Sequence, residues 1–348
     1  MKFSYVMLPD YPLADSLASI KLADELGFHA VYAADETWHK DLWLLFAAAA
    51  DKTSNIRMGP SVSGVVLREP SLIAQATATL DELTNGRAEV VLSSGNFGLL
   101  AQYGMDWSTQ KPLSRVKEGV QVLRTLLDEG AITFDGEFFT YQGLFTFARP
   151  VQQHVPVKMG AMRGPRSFQV AAEISDGCHQ ALGYTREAYD YMVENMTIGA
   201  KRAGKDVNDL DIGAWMVFAT GEDSAIAKDA ARSMVGLYAS SMPDELLLRN
   251  GVDPGDMKPI LSALGAGDLA GSIDLTSSKI ADTLSISGTP AECVAKLKEI
   301  EATGVNHMIL AITDATLVKT FMGRDIEGVA DVDTQLRLVA DKIMPEFA

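Results

Sequence analysis

Short runs of apolar, β-branched and aromatic residues alternate along the chain with longer segments of helical period, the pattern of a parallel sheet wrapped by helices. Residues 3–8 predict a strand, 13–26 a helix stopped at Gly27, 29–33 a second strand and 42–50 a second helix. Residues 56–62 predict a third strand, 70–83 a helix with Pro70 in its first turn, and 88–93 a fourth strand after the Asn85-Gly86 turn. A helix over 114–127 follows, and then the period changes. Residues 132–138 alternate like a hairpin with Asp135-Gly136 at its turn, so 130–150 predict an excursion. Regular units resume with a strand over 155–159, a helix over 165–174, a strand over 177–182, a helix over 187–203 and a strand over 210–218. Residues 222–284 keep a helical period without strand signals and predict a helical insertion. A helix starting at Thr289-Pro290 and running through Ile300 leads past Gly304 to an eighth strand over 307–312 and a C-terminal helix. Eight strands with intervening helices predict a single (β/α)8 TIM barrel over residues 1–348, whose chemistry belongs at the C-terminal ends of the strands.

Composition narrows the function. With 47% hydrophobic and 22% charged residues the chain has ordinary globular usage, and 30 Lys plus Arg against 46 Asp plus Glu leave a net charge of −16. That charge repels nucleic acid and anionic membranes, so an anionic ligand needs a local site. Cys178 and Cys293 stand far apart in apolar contexts and read as reduced thiols of a cytoplasmic protein. The five histidines and two cysteines never fall at metal-ligand spacing, no apolar run is long enough to span a membrane, and no secretory leader opens the chain. GxSxG, the phosphate-binding P-loop and a post-strand GxGxxG are all missing, which removes the hydrolase and nucleotide-fold readings.

The barrel rule selects the residues after each strand. After strand five comes Gly160-Ala161-Met162-Arg163-Gly164-Pro165, running directly into a helix. Two glycines let backbone approach a ligand, and the helix start with Arg163 and Arg166 suits a phosphate; a plain βα turn with surface arginines fits the same residues. After strand two, Asp35, Glu36 and His39 share one loop and suit acid–base work, although Asp35 also suits a helix N-cap and His39 a surface position. His154, beside Val155-Pro156, reads as structural.

In order along the chain, Gly27-Phe28, Asp35, Arg68-Glu69-Pro70, Thr79-Leu80-Asp81, Asn85-Gly86-Arg87-Ala88, Phe134-Asp135-Gly136 and Ala171-Ala172-Glu173-Ile174-Ser175-Asp176-Gly177 resemble the bacterial luciferase-like superfamily. Within it the chain is most similar to coenzyme F420-dependent methylenetetrahydromethanopterin reductases, over nearly its whole length. The resemblance implies a deazaflavin or flavin ring held over the barrel mouth for hydride transfer, with coenzyme F420 as cofactor and FMN as the alternative. It implies that Gly160, Ala161 and Gly164 bind the cofactor phosphate through backbone amides with Arg163 beside them. It also implies that Ser61 and Val62 form a bulge behind the ring, often with a cis peptide, and that Asp35, Ser93 and Ser94 line the cofactor. Asn96 would face ring or substrate.

Two departures bear on activity. The reductases carry carboxylates where this chain has Val6 and Asn96, and Glu36 replaces a histidine that commonly follows Asp35 in deazaflavin enzymes. Either Glu36 or His39 delivers the proton, or the substrate needs none from the protein, or the pterin reaction is not the one catalysed. Three readings follow for a small-molecule substrate. One is an F420-dependent oxidoreductase. Another is an FMN-dependent monooxygenase fed by a separate reductase. The third is a flavin-binding barrel without turnover. A sugar-phosphate barrel enzyme fits the Gly160 turn but not the order of motifs. The resemblance also implies a homodimer formed through barrel helices.

Overall fold

The computed structural model describes residues 1–8, 11–161, 164–181, 183–323 and 325–348. Eleven strands form among them: β1 (Lys2–Met7), β2 (Ala30–Asp35), β3 (Arg57–Gly64), β4 (Val90–Ser93), β5 (Ala131–Asp135), β6 (Thr140–Phe145), β7 (Val157–Gly160), β8 (Gly177–Ala181), β9 (Asp211–Thr220), β10 (Ser285–Gly288) and β11 (His307–Ile312). Eight of them close a parallel (β/α)8 barrel in the order β1, β2, β3, β4, β7, β8, β9, β11, with β11 returning to β1 through pairs such as Lys2 with His307. Parallel strands covered by helices are buried on both faces, which is why the runs read as continuously apolar.

Strands β2, β3 and β9 all run past their predicted C-terminal ends. Their terminal Ser, Asp, Gly and Thr residues read locally as loop, yet they stay in the ladder, with Asp35 opposite Ser63 and Gly64 opposite Ser93. Residues 130–150 contain β5 and β6, an antiparallel pair turning where Gly136 N donates to Phe139 O at 3.0 Å. The hairpin is tied to the barrel by the Tyr141 hydroxyl, which donates to Glu69, the residue capping helix Pro70–Leu83. Residues 222–284 hold five helices, beginning with Ser224–Ala239 against the barrel. Just beyond them lies a ninth parallel strand that the sequence reading missed: β10 pairs with residues 217–220, the part of β9 that overhangs β8. A short helix, Phe97–Gln102, also precedes the predicted fourth helix, which spans Pro112–Glu129.

The barrel interior is not uniformly apolar. Near its N-terminal end Tyr32 donates to Glu89, Arg57 Nε and Lys158 Nζ each reach the same carboxylate at 3.3 Å, and Lys158 Nζ also lies 2.6 Å from Asp211 Oδ2. Asp211 Oδ1 meets His307 Nδ1 at 3.1 Å, and His307 Nε2 meets Ser4 Oγ at 2.8 Å. Burial alone would raise the Glu89 carboxyl, but Lys158 and Arg57 hold it at about 2. Lys158 is in turn held above its ordinary value against burial by Glu89 and Asp211. The network plugs one end of the barrel with mutually satisfied charge and leaves the other end for a site.

Candidate active site

At the C-terminal mouth the bulge of β3 forms the centre. Ser61 pairs with Val91 and Ser63 with Leu92, so Val62 is the extra residue, and the Ser61–Val62 peptide is cis. Asp35 holds this bulge from the neighbouring strand. Its Oδ2 accepts from Ser63 Oγ at 2.6 Å and Trp43 Nε1 at 3.1 Å, while Oδ1 faces Arg68 Nη1 at 3.4 Å. Arg68 also lies over the Trp43 ring, 5.5 Å from its centroid. The N-cap reading of Asp35 is therefore corrected: Asp41 caps helix Leu42–Ala49 by accepting from Leu44 N at 3.0 Å.

Val62 lies beside the end of β7. A Cβ on Gly160 would stand 2.9 Å from Val62 Cγ1 and 3.6 Å from Ser93 Cβ, so only glycine leaves this part of the floor flat. Ser93 Oγ accepts from Gly95 N at 3.0 Å and Ser94 Oγ from Trp107 Nε1 at 3.1 Å, which leaves both hydroxyls able to donate. One amide departs from expectation. Ala161 is buried and its N–H donates to His179 O at 3.1 Å, because the β7–β8 ladder runs one step further than a loop would; it has no N–H to offer a phosphate. Gly164 fits the anion reading better. At φ 113° it opens helix Pro165–Ile174 with no side-chain cap among the described residues, and a Cβ there would meet none of their atoms within 4 Å. That helix start carries positive dipole in an acidic chain, with Gly164 itself buried and Pro165 and Arg166 exposed. Arg163 lies outside the described residues, and Arg166 beside Gly164 is exposed.

Glu36, His39 and Asn96 converge on the rim from two loops sixty residues apart in sequence. His39 Nε2 lies 3.8 Å from Glu36 Oε2, with side chains 11% and 17% exposed, and the Asn96 side chain hydrogen-bonds Glu36. Asn96 is fixed by the helix it caps: its Oδ1 accepts from Gly98 N at 2.9 Å, which turns its NH2 towards the carboxylate. Burial pushes the Glu36 carboxyl above its ordinary value, with Asp35 adding to the rise; His39 and Asn96 oppose without cancelling it. The two loops are braced by Trp38 Nε1 donating to Gln102 Oε1 at 2.7 Å and Tyr103 hydroxyl to Thr37 Oγ1 at 3.2 Å.

Sequence reasoning missed further groups at this mouth. Asp314 follows strand β11, caps the helix Ala315–Met322 through Leu317 N at 3.0 Å and accepts from Tyr11 at 2.9 Å; burial pushes its carboxyl up. The barrel rule could have found it, since it stands two residues beyond the last strand. His179, below Ser61, carries no local signal. Among the described residues no group of three or more His, Cys, Asp and Glu side chains is placed to hold a metal.

The comparisons with known proteins fit this geometry. A 5,10-methylenetetrahydromethanopterin reductase of Methanolobus tindarius is 29% identical over 310 residues, covering 89% of this chain and 93% of the relative. An F420-dependent glucose-6-phosphate dehydrogenase of Beutenbergia cavernae is 27% identical over 309 residues, covering 85% and 86%. The solved coenzyme F420-dependent tetrahydromethanopterin reductase of Methanopyrus kandleri superposes with a TM-score of 0.87 at 24% identity, covering 100% of this chain and 99% of that one. The family model described as luciferase-like monooxygenase matches residues 1–307, and with a bulged, glycine-floored barrel mouth behind that match, the chain belongs to this family.

Proposed function

We propose that this protein is an F420-dependent oxidoreductase acting on a small organic or pterin-like substrate. The observation that carries the reading is the mouth itself: a glycine-cleared floor at Gly160 and Val62, an uncapped helix start at Gly164, and the Glu36–His39–Asn96 group on the rim above them. These residues fit a flat heterocycle with an anionic tail. When bound, the deazaflavin supplies the hydride chemistry. Ser61, Val62, Ser93 and Ser94 would flank the ring, while Gly164 with the first turn of its helix would take the phosphate and Arg166 the acidic tail. The M. tindarius and B. cavernae relatives have different substrates by name, and this chain's own rim supports neither over the other.

The rim accounts for the carboxylate that is missing at position 96. Asn96 cannot donate a proton as an acid, but it hydrogen-bonds one, so the acid enters from the β2 loop as Glu36. A carboxyl with a raised pKa stays protonated closer to neutrality and serves as donor to a substrate being reduced. His39 beside it would return the proton from solvent. Titration with F420 and with FMN, followed by fluorescence, tests the cofactor: tighter binding of F420 is expected, and tighter FMN binding with rapid oxidation of the reduced flavin would overturn the reading in favour of a monooxygenase.

A homodimer belongs to the same proposal. Phe147 is 92% exposed and Leu44 74%, with Leu72 exposed on the helix packed beside that of Leu44 and Phe145 exposed beside Phe147. Large exposed apolar side chains that gather in patches commonly mark an interface. Sizing in solution should give a dimer, and Phe147→Glu with Leu72→Glu should give monomer. Cytoplasmic placement is supported by two free, buried thiols. Among the described residues no helix is long and apolar enough to cross a membrane.

A further inference from the structure

His179, in the middle of β8, is 5% exposed inside the barrel. Room for its ring comes from the next strand, where a Cβ on Gly213 would stand 2.7 Å from His179 Cδ2. The ring meets Tyr32 edge-on at 4.9 Å between centroids and His307 at 6.1 Å, so both flanks are packed. Nδ1 lies 3.1 Å from Ser61 Oγ, and among the described residues Nε2 is buried without a partner. Burial, reinforced by Lys158 and His307, holds the imidazole well below its ordinary pKa; Asp211 and Glu89 pull the other way and do not prevail. The ring is therefore neutral and has a single N–H to place.

Its two nitrogens are not equivalent hosts. A hydrogen on Nε2 would be a buried donor with nothing to bind, which costs more than a bare lone pair in the same position. A hydrogen on Nδ1 has Ser61 Oγ in front of it. We infer that His179 is held as the Nδ1–H tautomer, that Ser61 Oγ accepts from it below, and that the Ser61 hydroxyl hydrogen is thereby aimed out of the barrel as a fixed donor to an acceptor atom of the bound cofactor ring. The opposite tautomer would draw that hydrogen down onto Nδ1 and show the mouth only lone pairs. His179 is then a positioning residue that acts through Ser61. Ser61 is half-buried at the bulge, whose far side Asp35 clamps through Ser63, so the hydroxyl has little other freedom. The donor's target rests on the cofactor reading above; the tautomer does not.

The test uses the full chain with 15N-labelled histidine. A long-range proton–nitrogen correlation on the ligand-free protein at neutral pH distinguishes a protonated from a bare ring nitrogen. The His179 signals are those lost in His179→Gln and, should that variant not fold, those displaced in Ser61→Ala. The expected result is a protonated Nδ1 and a bare Nε2, with Ser61→Ala weakening F420 binding about tenfold and Ser61→Thr recovering most of the loss. A protonated Nε2 overturns the tautomer whatever the cofactor does. A protonated Nδ1 with undiminished F420 affinity in Ser61→Ala overturns the directed donor. A parent chain that binds no F420 overturns the functional reading and the donor's target with it, while the tautomer is still decided on the ligand-free chain.

Discussion

The two ends of one barrel treat buried charge in opposite ways. At the N-terminal end Glu89 and Asp211 are held below their ordinary values and Lys158 above its own, because each charge faces an opposite one. At the C-terminal mouth Glu36 and Asp314 are pushed up, and the helix at Gly164 starts without a cap. Burial is the largest influence on all four carboxyls, so burial does not separate the ends. What separates them is whether the countercharge is strong enough to overcome burial, as Lys158 and Arg57 are at Glu89 and His39 is not at Glu36. The closed end is built so that ionised groups stabilise the fold, and the open end so that a proton and an anion can still be accepted.

The largest expected effect breaks the closed end. Lys158, 2% exposed, lies between two carboxylates, and Lys158→Met removes the cation they share, leaving Glu89 with Arg57 and Asp211 with His307 and Lys2. A loss of up to about 3–5 kcal/mol, the figure for a buried charge left with no partner, is expected in urea unfolding. A loss near zero would show that this end is held by packing rather than by its charges. The pH dependence has a definite sign. Glu89 is depressed to about 2 in the folded chain, so its contribution is complete above the ordinary carboxylate value and disappears as pH falls through that depressed pKa. Acid unfolding of the parent should begin below the ordinary range.

At the open end Glu36→Gln should lower turnover by about 10²-fold while F420 affinity stays within about twofold, since a proton donor acts in the chemical step rather than in binding. Glu36 is raised, so the rate of substrate reduction should hold until pH climbs through that elevated pKa and then fall, and the variant should lose this limb. Equal turnover in variant and parent would move proton delivery to His39. A smaller effect is expected at Gly164. Any side chain there is strained at φ 113°, so Gly164→Asp is compared with Gly164→Asn, which differs in charge alone. F420 should bind about tenfold more weakly to the aspartate variant, about 1.4 kcal/mol.

Much of the fold was legible because burial on both faces writes a strand as an apolar run. The rim loop was legible too, since the barrel rule points to Asp35, Glu36 and His39 once strand two is placed. Three features were not. Residues 285–288, Ser-Ile-Ser-Gly, have no strand signal of their own and pair only because β9 overhangs β8. The amide of Ala161 was assigned to a loop, whereas the ladder takes it. Lys158 looks like an isolated charge in an apolar strand, and its partners Glu89 and Asp211 become visible only when the barrel's register brings β7 beside β4 and across from β9. Pairings set by register across strands leave no trace in local period. The same holds for Asp35, whose carboxylate is used by Ser63, Trp43 and Arg68 from three different stretches of chain.

The smallest expected effect sharpens the comparison most, because its sign differs between the ends. A carboxyl raised in the folded state binds its proton more tightly there than in the unfolded chain, so at any pH above that raised value its ionisation opposes folding. Glu36 meets this condition, with burial as the leading cause and Asp35 as a further one. Glu36→Gln keeps the shape and the hydrogen-bonding reach towards Asn96 while removing the charge. At mildly alkaline pH the variant should therefore melt above the parent, in the same preparation that shows slowed turnover, and the difference should shrink as pH falls below the parent's raised pKa and vanish below the ordinary carboxylate value. Lys158→Met, in the same assay, moves the melt downwards at every pH where Glu89 is ionised. If Glu36→Gln also melted below the parent at alkaline pH, the rim carboxylate would be stabilising the fold like its counterparts at the closed end, and the contrast between the two ends would not hold.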